Sequence, residues 1–474
     1  MEFRSIIYRH CNATLLFTLV MLVIPHTVFA DNELSGAEIE AMDSEFQHFS
    51  AEFYSTLSRR RVFNLPTIKD MVTLEKQTHG YEQKGNHILA ILLISQNLAT
   101  IRRHIDDRRV FKFVALLLKH NEWQLAKKIF DFVKDDDNSI YVSNVAFIFA
   151  QHYLKRKKWQ KVLDLLKNAA SDLPAEDYHH ALLMQGIALQ RLKQHRLAIP
   201  LYEKVPSTSK YYSAAILNTA VAYIRQDWWS DAHITINKLL KNKQENTSEE
   251  MINRLYLVLG YSLLRKEYYR NSRDAFRNIR KNSIYTNRAL MGIALTAANQ
   301  EDYIGALNAI TILKKNNIFD LPVDESYLML PYIYSKLKQN LTASAGFTAA
   351  IKHYKERIND IENLNLPENK IDDTIIISKT SSITVDKNSL DFDQHYPPSL
   401  LENYIELRQF DLFLRSYPDE ALTTSLNKIY RDYRVILVSA VQSLLKIRTQ
   451  HLKSYMNQAR YALASLFDAT PVSN

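Results

Sequence analysis

Small and bulky side chains recur along this chain at fixed spacing. Gly186 is followed three positions later by Leu189, twelve later by Ala198 and sixteen later by Tyr202. The next stretch repeats the series as Ala220, Tyr223, Ala232 and Ile236, each displaced by 34 residues. Earlier copies read Val114, Leu117, Ala126, Phe130 and Ala150, Tyr153, Val162, Leu166. Later ones read Gly260, Leu263, Ser272, Phe276 and then Gly292, Leu295, Ala306, Ile310, where the spacing implies a turn two residues longer. A weaker last copy is Pro331, Tyr334, Ala343, Phe347. Offsets of three and four place side chains on one face of a helix. Each copy therefore predicts two antiparallel helices and a tight turn, with small residues where the backbones approach and bulky ones filling the space around them.

No such hairpin buries its apolar face alone, so neighbours must stack, giving an all-α, right-handed α-α superhelix with a concave inner groove. The 34-residue period is that of tetratricopeptide repeats. Gly186 to Pro206 and Gly260 to Ile279 resemble them, and the resemblance covers roughly residues 100 to 355, six or seven copies in all. It departs at the motif's tryptophan and closing proline, which are mostly missing. Pro331 also stands inside a first helix, which predicts either a kink or a cap that ends the stack. The resemblance implies that a protein segment is held in the groove, lined by His180, Leu183, Ile187, Gln190 and Arg191, by Leu217, Val221, Ile224 and Arg225, and by Leu257, Tyr261 and Arg265.

One charged feature follows the same register. Five residues after the small position stand Lys119, Lys155, Arg191, Arg225, Arg265 and Lys336, with Ala297 breaking the row. In a stack these form a basic ladder near the ends of the first helices, able to take carboxylates or phosphates. Cations are also favoured there by the helix dipole alone, and that reading stands beside the first.

Outside the array the pattern changes. Residues 1–30 have Arg4 and Arg9, an apolar run from Leu15 to Ile24, Pro25, and small residues at Val28 and Ala30, the three-part form of a signal peptide with cleavage before Asp31. An uncleaved membrane anchor is the competing reading, although Pro25 interrupts the run. Residues 31–100 read as a helical cap region, 101–357 as the array, 358–398 as an acidic linker and 399–474 as a C-terminal helical, coiled-coil-like region. The linker sets eight carboxylates against three lysines and contains Ile375-Ile376-Ile377 and Ile383-Thr384-Val385, a short hairpin signal. It is either a solvated connection or an internal pseudo-ligand for the basic array. Beyond it Leu400, Leu401, Tyr404, Leu407 and Phe410 share a helix face, and Pro418 opens a further helical stretch of about fifty residues, some 75 Å if unbroken. Such a helix needs a neighbour, either the array itself or a second subunit.

Composition agrees with helices: 8 Gly and 12 Pro in 474 residues leave little for turns and hairpins. The single cysteine, Cys11, falls in the leader, so the processed chain can form no disulfide and no thiolate site. Net charge is +9, or +8 without the leader, which in an exported chain points to acidic partner segments or anionic envelope components rather than nucleic acid. The chain carries 27 tyrosines and a Trp228-Trp229 pair, which serve either as anchors for sugars and partners or as plugs between helices. His179-His180 is the only histidine doublet, no His-x-x-x-His occurs, and neither Gly-x-Gly-x-x-Gly nor Gly-x-Ser-x-Gly is present. The expectation is thus a non-enzymatic periplasmic scaffold with no cofactor and no metal site, binding a protein partner of the cell envelope. The alternative is an accessory of envelope polysaccharide or peptidoglycan handling. Membrane association through Lys446, Arg448, Lys453 and Arg460 is a weaker reading, since the four do not share one face.

Overall fold

The computed structural model describes residues 36–60, 63, 65–136, 141–169, 172–241, 248–316, 320–364, 375–377, 382–385, 388–391 and 395–468. The leader read at residues 1–30 lies outside these, as does most of the acidic stretch from 365 to 394. After α1 (Gly36–Arg60) come α2 (Met71–Gln83), α3 (His87–Gln96) and the short α4 (Leu98–Arg103). Seven helical hairpins follow. They are α5 (Arg109–Lys119) with α6 (Trp123–Lys134), α7 (Val142–Lys155) with α8 (Trp159–Ala169), α9 (Ala175–Arg191) with α10 (His195–Glu203), and α11 (Tyr212–Arg225) with α12 (Trp229–Lys241). The last three are α13 (Glu249–Arg265) with α14 (Tyr269–Arg277), α15 (Thr286–Asn299) with α16 (Tyr303–Lys314), and α17 (Leu321–Lys336) with α18 (Asn340–Glu362). Two helices close the chain, α19 (Ser399–Ser416) and α20 (Glu420–Asp468).

Each hairpin turns in the same way. One residue per turn adopts the left-handed conformation, at Asn121, Lys157, Lys193, Asp227, Glu267, Glu301 and Lys338, with φ between 59 and 64°. The amide after it donates to the carbonyl five residues back, from Glu122 to Leu117 at 2.8 Å in the first hairpin and from Gln339 to Tyr334 at 3.0 Å in the last. This bond satisfies a carbonyl that the helix end would leave unpaired. The turn between α2 and α3 is built alike on Gly85, with Asn86 donating to Tyr81 at 2.9 Å. Seven of these eight positions carry side chains for which the left-handed region costs about 1–2 kcal/mol.

The small residues do what their spacing implies. A Cβ on Gly186 would lie 2.3 Å from the Tyr202 ring, and one on Gly260 would lie 2.5 Å from Phe276, so each glycine admits the ring of its own partner helix. Gly292 differs. A Cβ there would meet Phe276 of the preceding hairpin at 2.4 Å. The sixth copy is therefore not a longer turn. Its turn at Glu301 follows that at Glu267 by 34 residues with the common geometry, and Ala294, not Gly292, occupies the small position in register. Pro331 is buried within an unbroken α17, against Gly346, and the stack continues through α17 and α18. Within the linker, β1 (Ile375–Ile377), β2 (Ser382–Val385) and β3 (Asn388–Asp391) form an antiparallel meander, with Ile376 opposite Thr384 and Ile383 opposite Leu390. This meander adds a third strand to the expected hairpin.

The 49-residue α20, about 74 Å long, folds back onto its own array. Its first half lies beside α19 and α1, where Tyr404 stacks on Tyr430 at 5.0 Å and the Tyr433 hydroxyl donates to the Met42 carbonyl at 3.1 Å. Phe410 of α19 enters a cage of Phe46, Phe49 and Phe53 from α1, its ring 4.4 Å from that of Phe53. The second half of α20 packs on the last hairpin, through Arg448 with Asp324, Lys453 with Glu362 at 2.9 Å, and Tyr455 with Tyr354 at 5.9 Å. The first and last hairpins thus share one continuous core with α1, α19 and α20, while the buried side chains of α9 to α14 gather mainly in smaller cores of their own.

Two outcomes are expected. Lys193 is exposed in a left-handed turn, so Lys193→Gly should raise stability by roughly 0.5–1 kcal/mol and Lys193→Val lower it by about as much or more, read from thermal melting with circular dichroism. Glu325 is 1% exposed, one of its carboxylate oxygens accepts no hydrogen bond among the described residues, and burial lifts its pKa to about 8. The folded chain holds that proton where the unfolded chain, near 4.5, has lost it, so stability falls as pH rises from about 4.5 to 8. Glu325→Gln should remove that slope, melting progressively higher than the parent between pH 5 and pH 8 by on the order of a few kcal/mol. An unchanged pH profile would show that Glu325 does not carry it.

Candidate partner-binding edge of the array

The ladder cations stand at the last residue of successive first helices, one residue before the C-cap, where the left-handed turn begins. They line the turn edge of the stack, and their surroundings divide them. Lys119 pairs with Glu82 of α2 at 2.6 Å, holding that carboxyl below its ordinary range. Lys155 pairs with Glu402 of α19 at 2.5 Å. Lys336 lies over the Tyr332 ring of its own helix at 5.4 Å. Arg191, Arg225 and Arg265 are exposed, and no carboxylate pairs with them among the described residues. Arg191 and Arg265 lean on tryptophans of the preceding hairpin, with guanidinium carbons 5.8 Å from the Trp159 ring and 5.6 Å from the Trp229 ring. Stacking leaves the guanidinium N–H edges free to donate.

The other side chains read as groove lining are mostly engaged between repeats. Leu183, Leu217 and Leu257 are buried in the inter-hairpin cores and present no surface. His180 stacks on Tyr211 at 4.3 Å, and burial lowers its pKa, which keeps it neutral at pH 7. Gln190 accepts from the Tyr202 hydroxyl at 2.8 Å and donates to the Asn218 carbonyl at 3.4 Å. Tyr261 donates to the Arg288 carbonyl at 2.8 Å. Ile187 and Val221 are half-buried against the same middle core. Of the sites expected from sequence, the arginine row is the part left available.

Helix α19 shows how that edge is occupied elsewhere. It lies along the turns of the first two array hairpins, with Asn403, fully buried, at the centre. Asn403 donates to Asp43 of α1 and to the Tyr433 hydroxyl, each at 2.9 Å, while its carbonyl accepts from Asn121 at 3.0 Å and Arg156 at 3.3 Å. Lys157 donates to the Tyr396 carbonyl at 3.1 Å. One turn beyond Glu402, Glu406 lies between His87 and His120. The sequence reading that found no metal-ligand spacing missed this group, because its three members come from separate hairpins and a distant helix, with no local signal among them. The same holds for Glu402 and Asn403.

No family model matches the chain, and no curated protein matches it. Among solved structures, the apo form of the quorum sensor NprR from B. thuringiensis aligns with 69% of this chain and 97% of its own at 11% identity, with a TM-score of 0.37. The apo form of RapI aligns with 72% of this chain and 98% of its own at 14% identity and a TM-score of 0.38. The APC/C hetero-tetramer Cut9-Hcn1 covers 71% and 65% at 13% identity and 0.28. Similarity this low decides nothing here, and the architecture stands on the chain's own turns and packing. The array is a tetratricopeptide-like α-α superhelix.

The Lys155–Glu402 pair is half exposed, and pairs of that kind are worth about 0.2–1 kcal/mol. A double-mutant cycle of Lys155→Ala and Glu402→Ala, read by thermal melting, should give a coupling in that range that shrinks at high salt. A coupling that is zero at low salt would mean that charge does not hold α19 on this edge.

Proposed function

We propose that this chain is a non-enzymatic scaffold that holds an acidic, helical protein segment along the turn edge of its middle hairpins. The observation that carries this reading is internal. Helix α19 already lies on the same edge of the first hairpins, and its Glu402 takes the ladder lysine Lys155. One hairpin further on, the equivalent positions are Arg191, Arg225 and Arg265, with no acidic partner among the described residues. Neighbouring helices in a stack lie about 8–10 Å apart. A helix rising 1.5 Å per residue therefore meets successive cations with carboxylates about five to seven residues apart. Guanidinium groups held by tryptophan rings lose less freedom on pairing, so orientation comes from the arginines and affinity from apolar anchors between them.

On this reading residues 1–30 are an export leader and the role is in the cell envelope, in the periplasm. No helix among the described residues is long and apolar enough to cross a membrane. The partner on this reading is an envelope protein with an acidic amphipathic helix.

The test uses Arg191→Glu, Arg225→Glu and Arg265→Glu together, in parallel with the parent. Crosslinked affinity purification from the cell envelope should recover one protein with the parent and lose it with the variant, while circular dichroism shows full helical content in both. A synthetic helix with glutamates at seven-residue spacing should bind the parent in a salt-sensitive manner, and at least ten times more weakly to the variant. Equal recovery and equal peptide binding by both chains would remove the arginine edge from the account.

A further inference from the structure

His87, His120 and Glu406 form a cluster that neither the array nor the proposed edge requires. His87 is the first residue of α3, His120 caps the end of α5, and Glu406 sits mid-way along α19. Their side chains are 12%, 13% and 12% exposed. The His87 Nε2 lies 3.2 Å from Glu406 Oε2, and the His120 Nδ1 lies 3.1 Å from Glu406 Oε1. The two imidazoles are parallel to within 5°, with centroids 4.2 Å apart. One ligand atom from each of the three residues falls within 4.8 Å of the others.

Two features point to an ion. The first is chemical and geometric. Two neutral imidazole nitrogens and a carboxylate oxygen are a common donor set for zinc, and bonds of about 2.0–2.1 Å in a tetrahedron put donor atoms about 3.3 Å apart. The three side chains converge with one such atom from each inside 4.8 Å, and the contacts of 3.1 and 3.2 Å run to different oxygens of Glu406, so a small turn of the rings brings the donors to a common centre. The second is the state of the donors themselves. His120 Nε2 is shielded from solvent and makes no hydrogen bond among the described residues, while its Nδ1 and the His87 Nε2 face the two oxygens of Glu406. Polar atoms so buried ordinarily have a partner. A cation between the three side chains would supply one, with the imidazoles turned from parallel toward a common centre.

We propose that His87, His120 and Glu406 bind one divalent cation of the zinc class, with water as a fourth ligand, clamping α19 to the first hairpins. The ligands join parts of the chain separated by 286 residues between His120 and Glu406, so the ion would reinforce a long-range contact otherwise made by apolar packing, Asn403, the Lys155–Glu402 pair and the Lys157–Tyr396 hydrogen bond. Its role is structural: binding energy for such an ion is folding energy for the contact it bridges.

The test is made on the full chain, stripped with a chelator and then titrated with zinc alone and with cobalt alone. The expected result is one zinc per chain, a melting temperature that rises with zinc, and a cobalt visible spectrum of four-coordinate type. His87→Ala and His120→Ala should each weaken zinc binding at least a hundredfold, and Glu406→Gln at least tenfold, whereas a His179→Ala, His180→Ala chain should bind as the parent does. If an alanine variant fails to fold, the parent alone still decides: no stoichiometric zinc, no thermal shift and no cobalt spectrum would overturn the site and leave Glu406 as a carboxylate between two imidazoles. Zinc binding that survives the folded His87 and His120 variants would overturn it equally.

Discussion

A helical hairpin in this array buries one side of each helix against its neighbours, and the stack therefore has two ends with nothing to cover them. The rest of the structure depends on how those ends are closed. Helix α1, with α19 laid across it, covers the first hairpins through Phe410 and its phenylalanine cage. The second half of α20 covers the last hairpin through Tyr455 and Arg448. Helix α20, packed on α1 and α19 at its start and on the last hairpin further on, thus links the two caps, and the superhelix is braced by a strut rather than left open as a spring. The middle hairpins, α9 to α14, are the stretch whose cores lie largely outside that shared interior.

The same division governs charge. Where the C-terminal helices meet the turn edge, cations are matched from within: Lys119 by Glu82, Lys155 by Glu402, Arg156 by Asn403. Where they do not, Arg191 and Arg265 rest on tryptophan rings and stay exposed. A helix dipole explains why a cation stands at each of these ends, but it does not explain why the middle three are arginines supported by aromatic rings or left exposed. The pairing of Lys155 with a carboxylate on a neighbouring helix gives the row a physical use.

The hairpins were legible in the sequence because close approach of two backbones demands a small residue opposite a ring, as at Gly186 with Tyr202 and Gly260 with Phe276. The turns were less so. Left-handed residues are usually betrayed by glycine, and here Asn, Lys, Asp and Glu occupy seven of them, so Gly292, two residues ahead of the small position in α15, was read as that position and the turn as longer. The hairpin of α2 and α3 escaped as a repeat although Gly85 marks its turn, because Thr78 stands where the other copies have a small or apolar residue. Periodicity marked a long C-terminal helical stretch, one helix or two, and its need of a neighbour but could not choose the neighbour, because apolar matching between distant helices leaves no local trace. Leu183, Leu217 and Leu257 were placed in the groove by position along a helix, yet a residue's rotation about its helix axis decides between groove and core, and theirs is the core. The convergence of His87, His120 and Glu406 depends wholly on that long-range packing.

Helix α20 fixes the relative placement of the first and last hairpins. The most direct measurement is a distance distribution between spin labels on cysteines introduced at the exposed Lys128 and Lys355, in a Cys11→Ser chain, by pulsed electron resonance. The account predicts one narrow distance in the full chain, and a broader, shifted distribution in a chain ending at Arg431, which lacks the half of α20 that reaches the last hairpin. A broad distribution in the full chain, or an unchanged narrow one after truncation, would contradict it.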